Sequence, residues 1–138
     1  MKIGPRLRAF ASEVMPAILG TKRSDGSVQL NPVWFEVEGD SLLVNGSTER
    51  AWLRHAQRVG GRLTLLLIDP KNMWRWAQLE GRIARTATEG ADDHIDRLSQ
   101  RYLGTPYRNP KTDRLTIEIA PLRVTGHGPE GLWDLSEG

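Results

Sequence analysis

The sequence predicts a mainly β fold with short helices, in which a largely antiparallel sheet curls into a small barrel. Short apolar runs of strand length recur between residues 17 and 124. Most consecutive runs are joined by brief turns rich in Gly, Asp and Ser, which favours antiparallel neighbours and a sheet that closes to remove its edges. Only two or three stretches keep helical spacing.

Taken in order, Leu7, Phe10, Ala11 and Val14 recur at i, i+3, i+4 and i+7, so residues 5 to 15 are expected to form an amphipathic helix that starts at Pro5 and is ended by Pro16. Residues 17 to 22, 27 to 38 and 41 to 46 read as three strands, joined by Ser24-Asp25-Gly26 and Glu38-Gly39-Asp40. Residues 50 to 59 read as a helix, with Trp52, Ala56 and Val59 on one face, Arg50, Arg54 and Arg58 on another, and Gly60-Gly61 as its stop. Arg62 to Asp69 is an almost continuous apolar run bounded by glycines and Asp69-Pro70, as expected of an interior strand. After a loop over Pro70 to Met73, Trp74 to Arg85 reads as a strand with Gly81 as a candidate bulge. Thr88 is placed to cap a helix over residues 89 to 103 that turns Ile95, Leu98 and Tyr102 to the core and stops at Gly104. The Pro- and Asn-rich stretch from Thr105 to Asp113 is a loop, and alternation of Leu115, Ile117 and Ile119 begins a last strand that resumes at Leu122 to Val124. Six strands are expected. The glycine-rich tail from Gly126 to Gly138 has Trp133 as its one obvious anchor and is expected to order on a partner subunit.

With 138 residues, 38% apolar and 26% charged, the chain has the size and composition of one domain, taken as residues 1–138. No run approaches the length of a membrane span, and the start Met1 to Arg6 lacks the pattern of a signal peptide, so a cytoplasmic location is expected. The absence of cysteine excludes disulfides, thiolate nucleophiles and thiolate metal sites. His55, His94 and His127 are too scattered to suggest a metal site, and none is expected. A formal charge of +2 argues against nucleic acid as the partner. Of 19 basic residues 15 are Arg, a side chain suited to bidentate anion contacts, so local Arg placement carries the information.

Three constellations could carry chemistry. Ser47 and Thr48 precede the helix at Arg50, where hydroxyls, backbone N–H groups and a guanidinium suit a phosphate. The same residues also suit an ordinary helix cap, and the stripe Arg50, Arg54, Arg58 reads equally as an anionic site or a solvated face. Asn31-Pro32-Val33 interrupts a strand: either it marks a protected edge, or it opens backbone to a planar heterocycle, with Gln29 and Asn31 supplying amides. Trp74 and Trp76 share a strand face, as core, as interface, or as a stacking surface for a flat cofactor. No nucleophilic triad, glycine-rich nucleotide loop or paired-carboxylate motif is present, so catalytic residues cannot be named and any chemistry must come from a bound group.

Together, Leu19 to Ser27, Asn31-Pro32-Val33-Trp34-Phe35, Arg50-Ala51-Trp52-Leu53-Arg54, Leu67 to Pro70 with Trp74-Arg75-Trp76, Glu80-Gly81-Arg82, Arg101 to Gly104 and Arg123-Val124-Thr125 resemble the flavin and deazaflavin split-barrel oxidoreductases related to pyridoxamine 5'-phosphate oxidase. Their order and spacing are most similar to the branch that uses the 5-deazaflavin cofactor F420. The resemblance implies a six-stranded split β-barrel that forms a homodimer, with cofactor grooves at the subunit interface and hydride transfer to a small organic acceptor. It implies a phosphate held at Ser47, Thr48 and Arg50, a ring against Asn31 to Val33, Trp74 and Trp76 contributed across the interface, and Arg54 and Arg58 beside an anionic tail. An FMN enzyme of the same fold and a non-catalytic flavin- or haem-related binding protein are the alternatives. Trp52 stands where many relatives carry Lys, so either Arg54 compensates, or the cofactor differs, or binding is weaker.

Overall fold

The structure, a computed structural model, describes residues 2–134. Elements follow in the order α1 (Pro5–Ser12), β1 (Ala17–Lys22), β2 (Val28–Val33), β3 (Phe35–Glu38), β4 (Ser41–Ser47), α2 (Ala51–Arg58), β5 (Arg62–Ile68), β6 (Trp76–Ala87), α3 (Ala91–Leu103), β7 (Arg114–Gly128) and β8 (Gly131–Asp134). The strands form one antiparallel sheet in the order β2-β1-β5-β6-β7-β4-β3, with β8 added to β7.

The two ends of that path, β2 and β3, are consecutive in the chain and separated by Trp34 alone. Two residues of chain reach at most about 7 Å, so the edges meet at Trp34 and the sheet is rolled into a barrel. β2 and β3 do not pair with each other, which leaves a seam. The barrel is therefore split along the line where one expected strand, residues 27 to 38, divides in two. Pro32 contributes by removing a ladder donor, which is tolerated because β2 is an edge.

Inward-facing Leu19, Phe35, Leu42, Val44, Leu65, Leu67, Leu79, Ile117 and Ile119 fill the interior, all nearly inaccessible to solvent. α1 packs Leu7, Phe10 and Ala11 onto this core, and α2 adds Trp52, Leu53 and Ala56. β5 lies between β1 and β6, as an apolar run should, but buries only one face: Leu63, Leu65 and Leu67 point inward while Thr64, Leu66 and Ile68 are half-exposed. Gly81 sits at a shift of register in β6, where an added Cβ would lie 2.7 Å from Ile119 Cγ2, so the bulge and the close approach require glycine.

Several expectations are corrected. There are eight strands among the described residues rather than six, because residues 27 to 38 split and β8 adds a strand. β8 is part of the stretch expected to order on a partner; it pairs with β7 of its own chain, and Trp133 is buried against Gly126, where a Cβ would collide with the indole. Residues 135 to 138 of that tail lie outside the described residues. α1 ends at Ser12, leaving Val14 exposed, because Arg101 donates to the carbonyls of Ala11, Ser12 and Glu13 and so satisfies the helix end early. Thr88 does not cap α3; Gly90 occupies the cap position at φ 78°, with Asp92 and Asp93 in the first turn complementing the helix dipole. Trp74 lies in the turn before β6, which begins at Trp76. No helix of the described residues is long and apolar enough to cross a membrane.

Candidate cofactor site at the barrel seam

Beside the seam lies a cleft of about 480 Å³, lined by β2 and Trp34, by Asn45 of β4, by Arg50 and Trp52, by Ile95, Leu98 and Tyr102 of α3, and by Tyr107 and Arg114. One wall is aromatic. Trp34 stacks on Tyr102 with ring centroids 5.4 Å apart and meets Tyr107 edge-on at 6.5 Å. The Tyr102 hydroxyl donates to the Met15 carbonyl at 2.7 Å and accepts from the Phe35 N–H at 3.3 Å, so one side chain ties the start of β3 to the chain before β1. Burial pushes the Tyr102 phenol above its ordinary pKa, which keeps that donor protonated.

Two cations, Arg50 and Arg114, line the same cleft. The Arg114 guanidinium lies 5.4 Å from the Tyr107 ring centroid and donates through Nε to Asn45 Oδ1 at 2.7 Å. Burial lowers its pKa from the ordinary value; the Tyr107 and Asp92 groups oppose that shift and the charge of Arg50 adds to it. Arg114 is a donor only, so it fixes the Asn45 amide, whose Nδ2 then donates to the Ala91 carbonyl and to His94 Nδ1, both at 3.0 Å. That contact makes Nδ1 the acceptor of buried His94 and puts the ring proton on Nε2, which lies 3.3 Å from Glu36 Oε1 without the alignment of a full hydrogen bond. Arg97 Nε donates to Glu36 at 2.9 Å. Burial alone would raise the Glu36 pKa, but the nearby His94 ring N–H and, with both hydrogen bonds and charge, Arg97 outweigh it and hold it at about 2. A polar relay thus runs from the cleft through the barrel wall to its surface.

Of the residues expected at a cofactor site, Asn31, Pro32, Val33, Arg50 and Trp52 line this cleft together. Gln29 lies beside it, donating to Asn31 Oδ1 at 3.0 Å. Ser47 ends β4 directly opposite Arg114, and the Thr48 N–H donates to the Asp113 carbonyl at 3.1 Å. Neither caps α2, whose cap position is Arg50 and which has no side-chain cap. Arg54 and Arg58 are turned away, donating to the carbonyls of Glu49 and Lys22 at 2.7 and 2.6 Å. Trp74 and Trp76 also lie outside this cleft within the protomer: Trp74 is exposed, and Trp76 stacks on His127 at 6.1 Å. Trp34, Asn45, Tyr107 and Arg114 were not marked by the sequence as site residues. Only the pairing of β4 with β7 and the docking of α3 bring them together.

Flat aromatic surfaces and guanidinium donors in one cleft form a donor set suited to a planar, anionic cofactor, and the fold around it is a split barrel. Residues 3–128 match the family model of pyridoxamine 5'-phosphate oxidase, and the chain belongs to that family, which includes flavin-binding oxidoreductases. An F420 reductase shares the fold with a TM-score of 0.74 and 24% identity over 85% of this chain and 94% of its own. A conserved hypothetical protein of Mycobacterium tuberculosis superposes with a TM-score of 0.73 and 18% identity over 92% of this chain and 85% of its own. A candidate pyridoxamine 5'-phosphate oxidase of Listeria innocua does so with a TM-score of 0.68 and 11% identity over 88% and 94%. No protein with a curated description matches the sequence.

Proposed function

We propose that the protein is a homodimeric oxidoreductase that binds F420 at the seam and transfers a hydride between the reduced cofactor and a small organic acceptor. The observation that carries this reading is the cleft itself, where an interrupted edge strand, an aromatic wall and two arginines converge. In this reading the ring lies along Asn31 to Val33, and Arg50 takes the phosphoryl end with the Ser47 and Thr48 hydroxyls beside it. The choice of deazaflavin follows the motif resemblance, and an F420 reductase is among the proteins that share the fold.

The bound deazaflavin supplies the hydride chemistry. The chain's own residues bind and orient: Tyr102 holds the seam closed behind the ring, Trp34 and Tyr107 exclude water from one side, and the arginines balance the cofactor's charge.

A second copy is the proposed partner, and an apolar groove of about 730 Å³ over β2, β1, β5 and β6 supports it. Val28 and Leu30 are 60% and 66% exposed there, beside Ile18 and Leu66, an exposed apolar surface of the kind that a protein in water covers. Trp74 and Trp76 would then be available to the partner's cofactor.

Titration of the protein with F420 and with FMN tests the reading. F420 should bind and FMN should bind more weakly; tight FMN binding with no deazaflavin binding overturns the choice of cofactor. Oxidation of bound, reduced F420 by at least one compound in a broad panel of acceptors is expected. A cofactor never oxidised would make the protein a binding module.

A further inference from the structure

Two cations face the cleft without a counter-ion. Neither Arg50 nor Arg114 is ion-paired with a carboxylate among the described residues, and Arg114 uses only Nε, toward Asn45, leaving both terminal nitrogens free. A half-buried guanidinium beside a like charge is at a cost that an anion in the cleft relieves. Three features mark out the end of the cleft lined by Arg50 and Arg114. Ser47, whose hydroxyl was expected near a phosphate, is paired directly across the ladder from Arg114. Thr48 is held to Asp113, the neighbour of Arg114. Trp52, which by the resemblance stands where many relatives carry Lys, is buried and uncharged, and Arg54 donates to the Glu49 carbonyl.

We propose that Arg114, held by Asn45, acts with Arg50 as the second cation of a phosphoryl-binding site at this end of the cleft. The inference rests on the cofactor reading above and adds a residue to it. Two guanidinium forks lining one cleft, with the end of β4 at Ser47 paired beside Arg114, suit the oxygens of a phosphoryl group. The role of Asn45 is positioning: its orientation is set on the far side by Ala91 and His94, so Arg114 is presented in one pose.

Binding, read by fluorescence titration, tests the inference without turnover. FMN is compared with riboflavin, which lacks only the phosphate, and F420 with the deazaflavin chromophore and its ribityl chain, which lacks the phosphoryl group and the tail beyond it; the FMN pair isolates the phosphate. Arg114→Gln should weaken binding of the phosphorylated cofactor about 10- to 100-fold, as expected for a lost charged hydrogen bond, and change binding of the phosphate-free form by less than about twofold. Arg114→Lys keeps the charge, loses the fork and should fall between, which also serves if the Gln variant folds poorly. Unchanged affinity for the phosphorylated form, or equal loss for both forms, overturns the role of Arg114 alone. A wild-type protein that binds neither phosphorylated cofactor overturns the cofactor reading, and this inference with it.

Discussion

The seam and the open face over β2, β1, β5 and β6 are both concave and both border β2, yet they differ in chemistry. The seam cleft is the smaller, and it combines aromatic planes with two cations set in a chain of hydrogen bonds. The open face is larger and presents branched apolar side chains, with Thr64 and Gln78 among them and with Lys22, Arg62 and Glu80 also in its lining. Alternation along β2 produces this contrast, since Asn31 and Val33 line the seam while Val28 and Leu30 line the other face. In the proposed reading the first surface receives a small charged molecule and the second receives another copy of the chain.

The largest effect is expected on the open face. Leu30→Arg places an unpaired charge where the second copy is proposed to sit, and should raise the dimer dissociation constant by at least about 100-fold. Light scattering reads this directly, and a variant that stays dimeric would move the interface elsewhere. At the seam, Arg50→Ala should weaken F420 binding about 10- to 100-fold, whereas Arg58→Ala, whose side chain is occupied by the Lys22 carbonyl, should change it by less than about twofold. Equal losses would show that the stripe acts as a diffuse positive field and not through one contact.

The smallest effect concerns the far end of the relay. The Glu36 carboxyl is held at about 2, below its ordinary 4.5, so the stability it contributes is complete above about 4.5 and is lost as pH falls from there toward about 2. Thermal melts across that window should show a shallower slope for Glu36→Gln than for the wild type. Identical slopes would place the acid sensitivity in other carboxylates, such as Asp96, whose bond to Lys111 also lowers it.

Most elements were legible because their signals are local. Alternation at Leu115, Ile117 and Ile119 of β7 and the glycine stops after α2 and α3 fall where expected, the stops at Gly60-Gly61 and at Gly104 with φ 72°. The break at Trp34 was not legible, since Val33, Trp34 and Phe35 continue an apolar run and nothing nearby reveals that the two halves pair with opposite edges. Half of the site followed the same division. Asn31 to Val33, Arg50 and Trp52 belong to compact motifs and meet in the cleft. Arg114 ends a Pro- and Asn-rich loop that looks like any connection, and its significance appears only in the register that sets it opposite Ser47. Trp133 was noticed as an anchor, but its socket depends on Gly126 lacking a side chain across the hairpin.

The single residue between β2 and β3 also limits how the cleft can change shape. Val33 and Phe35 are joined through one link, so at that point the two sheet edges are leashed within about 7 Å whatever occupies the cleft. The tether acts as a covalent stop at the Trp34 end, reinforced by Tyr102 bridging Met15 and Phe35. A bound molecule therefore cannot gain room by spreading the two sheet edges apart at Trp34.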